Sequence, residues 1–375
     1  MLKTQYQQCV RCVMDTSDPT IHFSPQGICN HCTTYLNETV KSFEFQSDSD
    51  EKLKSFVKQI KTQKGTSKYD CVLGLSGGVD SSFLAYKMKN MGLNPLLLYI
   101  DNQWNSESME RNLFALAKAL ELDLEVVSVD WKEYREIQLA FLKSSILDNE
   151  IPIDLAIPAI LHQTAKKHGV KAIFSGGNYT TEGILPLIWG YHVMKDKKQM
   201  DFIIRKFGNG FKRKNFPTFG LIDEIRYKFI HRIKMYYPLN YIRYEKLAAK
   251  AELESFLNCT YPVGKHHENR FTRFWHVYVA PTKYGIDYRK ANLSSQICND
   301  FITREEAIAL LKEPSYNGIE VMEEIKYISD KLQISIDEFE SYLKLEPKFY
   351  TDFPNSEKKI KFVHAVYKWL FKRER

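Results

Sequence analysis

The sequence has no apolar run long enough to cross a membrane, no internal repeat and no low-complexity segment. Its first residues, MLKTQYQQC, lack the apolar core of a signal peptide. We therefore expect a cytoplasmic protein without a transmembrane segment. The 375 residues are 44% hydrophobic and 26% charged, which is typical of a globular protein with two or three domains.

Cysteine is scarce, and seven cysteines do not indicate a disulfide framework in a cytoplasmic chain. Four of them form the pairs Cys9-x-x-Cys12 and Cys29-x-x-Cys32, which have the spacing of zinc knuckles. Four thiolates fill a tetrahedral site, so we predict a structural zinc ion in a ribbon of residues 1–40. The alternative is four unligated cysteines. The remaining cysteines are interpreted as packing residues: Cys71, Cys259 and Cys298.

The glycine-rich segment SGGVDSS, residues 76–82, lacks the Gly-Lys-Ser/Thr of the Walker loop. An apolar run at 71–75 predicts a buried strand before it, and helical periodicity follows. Strand, glycine turn and helix aim backbone N–H groups at an anion. Asp80 can hold a magnesium ion on the bound phosphates. The segment thus predicts a phosphate site built from Ser76, Gly77, Gly78, Asp80, Ser81 and Ser82.

The hydrophobic pattern alternates between strands and helices from residue 51 onward. It predicts strands at 71–75, 96–100, 124–129 and 171–174, and helices at 51–63, 106–120, 133–144 and 156–168. This order is typical of an α/β fold with a doubly wound, mostly parallel sheet that binds ligands at the carboxyl ends of its strands.

Three further regions flank or interrupt this pattern. Residues 42–50 are interpreted as a polar linker, and 51–300 as the α/β domain. Within it, about 184–244 is interpreted as a substrate-binding insertion, whose aromatic, basic and irregular pattern lets us assign no elements. Residues 301–375 are predicted to be helical, with a capping box at Thr303 and Glu306 and a helix at 358–371.

Much of the net charge of +7 comes from the stretch 195–234. Such a stretch suits RNA, an anionic membrane surface or an acidic partner. A solvated basic face explains it as well. Because its charges alternate with Phe, Tyr, Ile and Met, we expect it to face a partner or an anionic surface rather than tRNA.

Other candidate residues lie at strand ends and in later loops. Asp101, after Ile100, either binds a ligand or caps the helix that starts near residue 106. In GGNYTTE, Glu182 is either a magnesium ligand or a first-turn helix charge. The segment 264–274 concentrates ionisable side chains, which suit anion recognition and proton transfer or simply a solvated loop. Three cations, Lys283, Arg289 and Lys290, either neutralise a leaving group or form a basic surface.

The SGGVDSS segment resembles the signature of the PP-loop ATP pyrophosphatases, and GGNYTTE resembles a loop of ammonia-using synthetases such as NAD synthetase. Together with the ribbon, the segments GGNYTTEGILPLIWG, GKHHENRFTRF and KYGIDYRKANLSSQI resemble the N-acetyl sugar amidotransferases of bacterial surface-glycan biosynthesis, including pseudaminic acid and lipopolysaccharide amidotransferases. The resemblance extends to about residue 312. It implies that ATP adenylates the acetamido oxygen of an acidic sugar and that ammonia then displaces AMP.

The resemblance also implies roles for individual residues. ATP would contact SGGVDSS and Ile100, Asp101, Gly176, Gly177, Asn178, Lys283 and Lys290. Asp80 and Glu182 would hold Mg2+. The catalytic residues would be Asp80, Lys265, His266 and Glu268, and the sugar would contact Lys265, His266, His267, Arg270 and Arg273.

The implied cofactors are ATP, Mg2+ and a structural Zn2+. The sugar is either free or nucleotide-linked. No glutaminase signature is visible, so a separate glutaminase subunit or free ammonia would supply the nitrogen, and no nucleic acid is expected. Two alternatives remain: a tRNA-modifying PP-loop sulfur transferase, and a non-catalytic ATP-binding scaffold. Many sulfur transferases need further catalytic cysteines, which here are scattered.

Overall fold

The computed structural model describes residues 5–42, 49–190, 196–261, 268–313, 316 and 318–371. Its centre is a five-stranded parallel sheet in the order β3-β2-β1-β4-β5. The strands are β1 (Cys71–Gly74), β2 (Pro95–Asp101), β3 (Leu124–Ser128), β4 (Ala172–Phe174) and β5 (Lys234–Tyr236). The predicted α/β fold with a parallel sheet is therefore confirmed.

The sheet is flanked by helices and continues into a helical C-terminal part. The helices are α1 (Asn30–Thr34), α2 (Ser49–Gln63), α3 (Val79–Asn90), α4 (Glu107–Ala119), α5 (Trp131–Ser144), α6 (Ile151–Lys167), α7 (Tyr179–Glu182), α8 (Lys197–Phe207), α9 (Leu221–Ile225), α10 (Lys246–Leu257), α11 (Arg270–Phe274), α12 (Tyr288–Cys298), α13 (Arg304–Lys312), α14 (Gly318–Leu332), α15 (Ile336–Leu343) and α16 (Glu357–Phe371). Wider helical turns extend α1, α9 and α11 over Tyr35–Thr39, Arg226–Ile230 and Trp275–Tyr284. Thr303 and Glu306 form the predicted capping box of α13.

The central strands read as continuous apolar runs because both of their faces are buried. Val72 packs into the core on one face of β1, with Leu98 and Ile173. Leu73 packs into the core on the other face, with Leu84 of α3. The two apolar layers hold the sheet between helices and fix where the carboxyl ends of its strands meet.

The order of the strands reverses between β1 and β4. From β1 the chain moves outward to β2 and β3, and it then returns to place β4 on the other side of β1. In such sheets the crevice for ligands opens at the carboxyl ends of the strands on either side of this switch point. SGGVDSS follows β1 and GGNYTTE follows β4, so both glycine-rich segments lie at the switch point.

The cysteine-rich segment packs against the helices that follow the sheet. Cys9, Cys12 and Val13 share an apolar cluster with Ala291 and Ile297 of α12. Arg304 of α13 donates hydrogen bonds to the carbonyl oxygens of Cys9 and Cys12, at 3.2 and 3.1 Å. The N-terminal segment is thus joined to sequence nearly 300 residues away.

The irregular region 184–244 contributes the edge strand β5, which pairs Met235 with Ile173 of β4. Most of the predicted linker, at 43–48, lies outside the described residues. In the described part of the chain, no helix combines the length and the apolar character that membrane crossing requires.

Candidate active site at the switch point

Hydrogen bonds to the hydroxyls of its own serines stabilise the SGGVDSS loop. The backbone N–H of Ser76 donates to Oγ of Ser81 at 3.1 Å, and the N–H of Gly78 donates to Oγ of Ser76 at 3.3 Å. Gly77 has a φ of +88°, a conformation that suits glycine. Gly78 is the N-cap of α3. The loop therefore presents the first turn of a long helix to the crevice, which is the geometry that favours an anion.

The loop after β4 touches the loop after β1. A Cβ atom at Gly176 would lie 2.8 Å from the backbone nitrogen of Ser81 and 3.0 Å from its Cα. No side chain fits at that separation. Asn178 is buried and caps α7, because its Oδ1 accepts from the N–H of Thr181 at 3.0 Å. The predicted contact of its side chain with ATP stays a prediction.

Two carboxylates, those of Asp80 and Glu182, lie near this contact, and the negative charge of each raises the pKa of Tyr244. Asp80, in the first turn of α3, accepts a short hydrogen bond from the hydroxyl of Tyr244. Tyr244 is buried, and its pKa is raised by this burial and by the negative charges of Asp80 and Glu182. The two predicted magnesium ligands are therefore brought to one side of the crevice. Sequence analysis did not identify Tyr244, which lies in the irregular region.

Glu268 lies directly against the loop. Its Oε1 accepts a 3.4 Å hydrogen bond from Oγ of Ser76, and a Cβ at Gly78 would lie 2.8 Å from the same oxygen. The backbone holds it there, since the N–H of Ser106 donates to the carbonyl of Glu268 at 3.1 Å. Burial raises the pKa of Glu268, and the charge of Asp80 raises it further. A carboxyl group in this position can exchange a proton at the crevice.

The other predicted site residues of the segment 264–274 either contact protein side chains or lie outside the described residues. Arg270 forms an ion pair with Glu324 of α14 at 3.0 Å, and its guanidinium lies 3.5 Å from the ring centre of Tyr327. The guanidinium of Arg273 lies 4.5 Å from the ring centre of Tyr316. Recognition of the sugar by these arginines stays a prediction. Three other predicted site residues lie outside the described residues: Lys265, His266 and His267.

The later lysines contact other parts of the chain. Lys290 forms an ion pair with Asp15 of the cysteine-rich segment, and Lys283 donates to the carbonyl of Tyr342 at 2.8 Å. Burial lowers the pKa of Lys283 to about 8. Arg289 is held by Asp287 at 2.8 Å. The structure does not bring these three cations to the SGGVDSS loop through any contact among the described residues, and their ATP role stays a prediction.

Asp101 ends β2 at the same edge of the sheet as the loop. Its Oδ1 accepts from the N–H of Gln103 at 2.7 Å, and its Oδ2 accepts from the hydroxyl of Ser128 at 3.1 Å. The N-cap of α4 is Ser106, so the alternative that Asp101 caps this helix is wrong. The carboxylate of Asp101 instead closes a short turn by accepting the hydrogen bond from Gln103. A contact of Ile100 or Asp101 with a nucleotide stays a prediction.

The four N-terminal cysteines converge as expected for a metal centre. Their sulfur atoms all lie within 4.8 Å of one another, and all four side chains are fully buried. A tetrahedral ion with Zn–S bonds of about 2.3 Å separates its sulfurs by about 3.8 Å. Sγ of Cys12 and Sγ of Cys29 are 3.7 Å apart. The spacing fits a single tetrahedral ion.

Local structure also fits a metal knuckle. The N–H groups of Arg11 and Cys29 point at Sγ of Cys9, at 3.4 and 3.2 Å. Hydrogen bonds among the four thiols lower the pKa of Cys9 and Cys29 and raise the pKa of Cys12 and Cys32. Gly27 makes the turn before the second pair, with a φ of +79°. His31 pairs with Asp18 at 2.6 Å, as expected if no histidine is needed.

Cys298 lies closer to this centre than the sequence suggested. Its Sγ is 3.8 Å from Sγ of Cys32, and α12 carries it there. Spacing along the chain cannot show this contact, because it spans 266 positions. It is buried, so a packing role remains consistent with its place.

Replacing Cys29 with serine is expected to remove the metal and lower thermal stability, because the metal would join the two cysteine pairs and its binding free energy would add to the free energy of folding. Metal analysis of the purified protein should find about one zinc per chain. Cys259→Ser is the matched control, since Cys259 lies outside the centre. Unchanged metal content and stability in Cys29→Ser, or iron in place of zinc, would contradict the assignment.

Two family models match the chain. The model for NAD synthase matches residues 50–149, and the model for the C-terminal domain of WbpG-like LPS biosynthesis proteins matches residues 268–367. These matches confirm the predicted resemblance to PP-loop amidotransferases related to lipopolysaccharide biosynthesis. The NAD synthase match also indicates an enzyme that uses ATP.

The relative and the solved structures described next share 25% sequence identity or less with this chain. An uncharacterized protein of Methanocaldococcus jannaschii is 25% identical over 229 residues, covering 59% of this chain and 74% of that protein. The NMN synthetase of Francisella tularensis has 13% identity and a TM-score of 0.36, covering 72% of this chain and 98% of its own. The NH3-dependent NAD synthetase of Campylobacter jejuni has 15% identity and a TM-score of 0.33, covering 72% and 99%. The U34-tRNA thiolase of Methanococcus maripaludis, with its [4Fe-4S] cluster, has 12% identity and a TM-score of 0.34, covering 85% and 96%.

Proposed function

We propose that this chain, which combines an NAD synthase-type PP-loop domain with a WbpG-like domain of lipopolysaccharide biosynthesis, is an ATP-dependent amidotransferase acting on an acidic N-acetyl sugar. The sugar would be free or nucleotide-linked. The acetamido oxygen attacks the α-phosphorus of ATP, and pyrophosphate leaves. Ammonia then attacks the activated carbon, and the C–O bond to AMP breaks with its electron pair leaving on AMP. The product is an acetamidino sugar.

The observation that carries this proposal is the meeting of two glycine loops at the switch point. Contact between Gly176 and Ser81 places GGNYTTE beside SGGVDSS. Backbone N–H groups and the hydroxyls of Ser76 and Ser81 bind the phosphates, and the N-terminus of α3 adds its positive dipole. An amide oxygen is a very poor leaving group, so activation as an adenylate is the step that this phosphate cradle promotes.

Magnesium would bind at Asp80 and Glu182, where it would neutralise charge on the phosphates. Carboxylate oxygens are the donors that this ion prefers, and the two residues face the same tyrosine. Tyr244 positions Asp80 through the hydrogen bond to its Oδ1. Zinc, held by Cys9, Cys12, Cys29 and Cys32, would be structural, because four thiolates leave no position open for a substrate.

Glu268 is the group that would accept the proton released as ammonia attacks. Its raised pKa and its contact with Ser76 support this role. His266 is the other candidate from the sequence, and Lys265 the third catalytic candidate. The nitrogen would come from a separate glutaminase subunit or from free ammonia.

The direct test is release of pyrophosphate from ATP that depends on an acidic acetamido sugar. The amidotransferase predicts release only when ATP, magnesium and sugar are all present. A scaffold that merely binds ATP predicts no release. A sulfur transferase predicts release that depends on tRNA and not on sugar.

Glu268→Gln is expected to lower the rate of amidation by about a hundredfold, because general base catalysis contributes that much. A base that must be unprotonated loses activity as the pH falls through its pKa, so the raised pKa of Glu268 places this loss at a higher pH than for an ordinary glutamate. The acid limb of the wild-type pH–rate profile should disappear in the variant. If the variant kept both the acid limb and the wild-type rate, Glu268 would not be the proton acceptor.

The basic stretch 195–234 is expected to bind tRNA weakly at physiological salt. Several of its cations already have acidic partners: Lys197 pairs with Asp223 at 2.5 Å, and Arg213 with Asp201 at 3.2 Å. Large apolar side chains are exposed between them, with Ile222 79% and Ile230 73% exposed. This mixture suits a partner or an anionic surface better than a phosphate backbone. Tight filter binding of tRNA with a steep salt dependence would instead favour the sulfur transferase.

A further inference from the structure

Two half-exposed tyrosines lie beside the GGNYTTE loop, on the side of the phosphate loop away from β2. Tyr237 follows β5 and is 45% exposed, and Tyr179 begins α7 and is 40% exposed. Asn240 holds the two residues together, because its N–H donates to the carbonyl of Tyr237 at 3.0 Å and its Oδ1 accepts from the N–H of Tyr179 at 2.9 Å. We call this pair the tyrosine platform. It lies at the carboxyl ends of the paired strands β4 and β5, where the crevice opens.

The ring of Tyr237 lies against Gly177 of the GGNYTTE loop. A Cβ at Gly177 would lie 3.2 Å from this ring and 3.4 Å from Oε2 of Glu182, the proposed magnesium ligand. Gly177 does not adopt the positive φ that favours glycine, so its backbone does not explain why glycine stands there. The missing side chain instead leaves room for the ring and the carboxylate side by side. The platform therefore borders the place where the reacting phosphates would lie.

The exposed face of Tyr237 is the part that a ligand can use. Its hydroxyl already donates to Sδ of Met235 at 3.3 Å, and a thioether sulfur is a weak acceptor. Binding sites for small molecules combine apolar and aromatic faces with a few polar groups that fix the orientation of the ligand. Here Glu182 and the hydroxyls of SGGVDSS supply the polar groups, and the platform supplies the apolar face.

We propose that the tyrosine platform binds the ring of the acidic N-acetyl sugar by stacking, an inference that rests on the proposed function. The C–H groups along one face of a sugar ring are slightly positive, and the face of an aromatic ring is negative, so the two attract each other. Such a contact needs the ring of tyrosine but not its hydroxyl. It leaves the substituents of the sugar free to reach into the crevice.

Electrostatics then orients the sugar on the platform. The triphosphate of ATP and the carboxylate of Glu182 are negative, so they repel the carboxylate of the sugar. The neutral acetamido group therefore faces the phosphates, as its attack on the α-phosphorus requires. The nucleoside would lie on the other side of the phosphate loop, near Asp101 at the end of β2, which leaves the β4–β5 side to the sugar. Adenine also stacks on aromatic rings, so a test must measure the affinity for both substrates.

The KM values for sugar and for ATP in pyrophosphate release test the platform. N-acetylneuraminic acid is the free probe, and UDP-N-acetylglucosaminuronic acid is the nucleotide-linked probe. Tyr237→Ala should raise the KM for the sugar about tenfold, the worth of one aromatic stacking contact, and should leave the KM for ATP unchanged. Tyr237→Leu should show the same rise. It keeps apolar volume against Gly177, and so keeps the fold even where Tyr237→Ala does not.

Two variants serve as controls. Tyr237→Phe keeps the ring and loses only a hydroxyl whose partner is a sulfur, so it should retain the wild-type KM for the sugar. Phe114→Ala removes an aromatic ring that is 50% exposed on α4, and thus repeats the loss of an exposed ring outside the platform. It should keep both KM values.

Saturation-transfer NMR with each probe in the absence of ATP separates the platform from the reaction. The protons of the sugar ring should receive saturation from the wild type and much less from Tyr237→Leu. If neither probe supports pyrophosphate release, the proposed function fails, and the platform fails with it unless the transfer depends on Tyr237. If release requires a probe but Tyr237→Ala and Tyr237→Leu keep the sugar KM of Phe114→Ala, the platform fails and the proposed function stands. A raised KM for ATP at an unchanged KM for the sugar would place adenine on the ring and would also overturn the inference.

Discussion

Asp80→Ala is expected to lower the rate of pyrophosphate release by at least about a hundredfold, the loss typical of removing one group that stabilises transition-state charge. Asp80 lies in the first turn of α3, where the phosphates would lie, and its carboxylate is oriented by Tyr244. The substitution leaves the sheet and its two apolar layers unchanged. The circular dichroism spectrum should therefore match that of the wild type.

Asp337→Ala is the matched control for this experiment. Asp337 is an exposed aspartate in the first turn of α15, so the control repeats the loss of one first-turn charge away from the crevice. It should keep full activity. An Asp80→Ala enzyme that retains near-normal turnover would show that the loop does not bind the reacting phosphates as proposed. Glu182→Ala should give a large but less complete loss, since Asp80 and water can still hold the metal.

Gly176→Ala should abolish most activity although the change is a single methyl group. The added Cβ would lie 2.8 Å from the backbone nitrogen of Ser81, and backbone cannot move aside as a flexible side chain can. The loops after β1 and β4 would separate, and a misplacement of about 1 Å in a catalytic site costs about a hundredfold in rate. Pyrophosphate release and ATP affinity should both fall.

Gly318→Ala is the control for the glycine substitution. A Cβ at Gly318, the first residue of α14, meets no atom within 4 Å. Stability and activity should be unaffected. If Gly176→Ala were as active as Gly318→Ala, close contact between the two loops would not be required for the reaction.

The sequence predicted the parts of the fold that local pattern determines. The strands around 71–74 and 95–101 are continuous apolar runs. The start of α6 was predicted too late, at residue 156 rather than Ile151. Pro152 stands in the first turn of α6, where proline is tolerated because its missing N–H would have no partner. The strand β5 was missed because its three residues, Lys234–Tyr236, form no apolar run.

The candidate site likewise has parts that the sequence predicted and parts that it could not predict. The glycine loops and the cysteine pairs carry their chemistry in short spacings, so they are visible in the sequence. The contact of Tyr244 with Asp80 spans 164 positions, and that of Lys290 with Asp15 spans 275. No spacing rule indicates such pairs.

Mass spectrometry with isotopically labelled ammonium tests the central claim most directly. Candidate acidic acetamido sugars, free and nucleotide-linked, would be incubated with the protein, ATP, magnesium and [15N]ammonium chloride. The account predicts a product in which one oxygen of the acetamido group is replaced by a single labelled NH, formed together with equal amounts of AMP and pyrophosphate. ATP cleavage that leaves every sugar without the label, or a labelled product that forms without ATP, would contradict it.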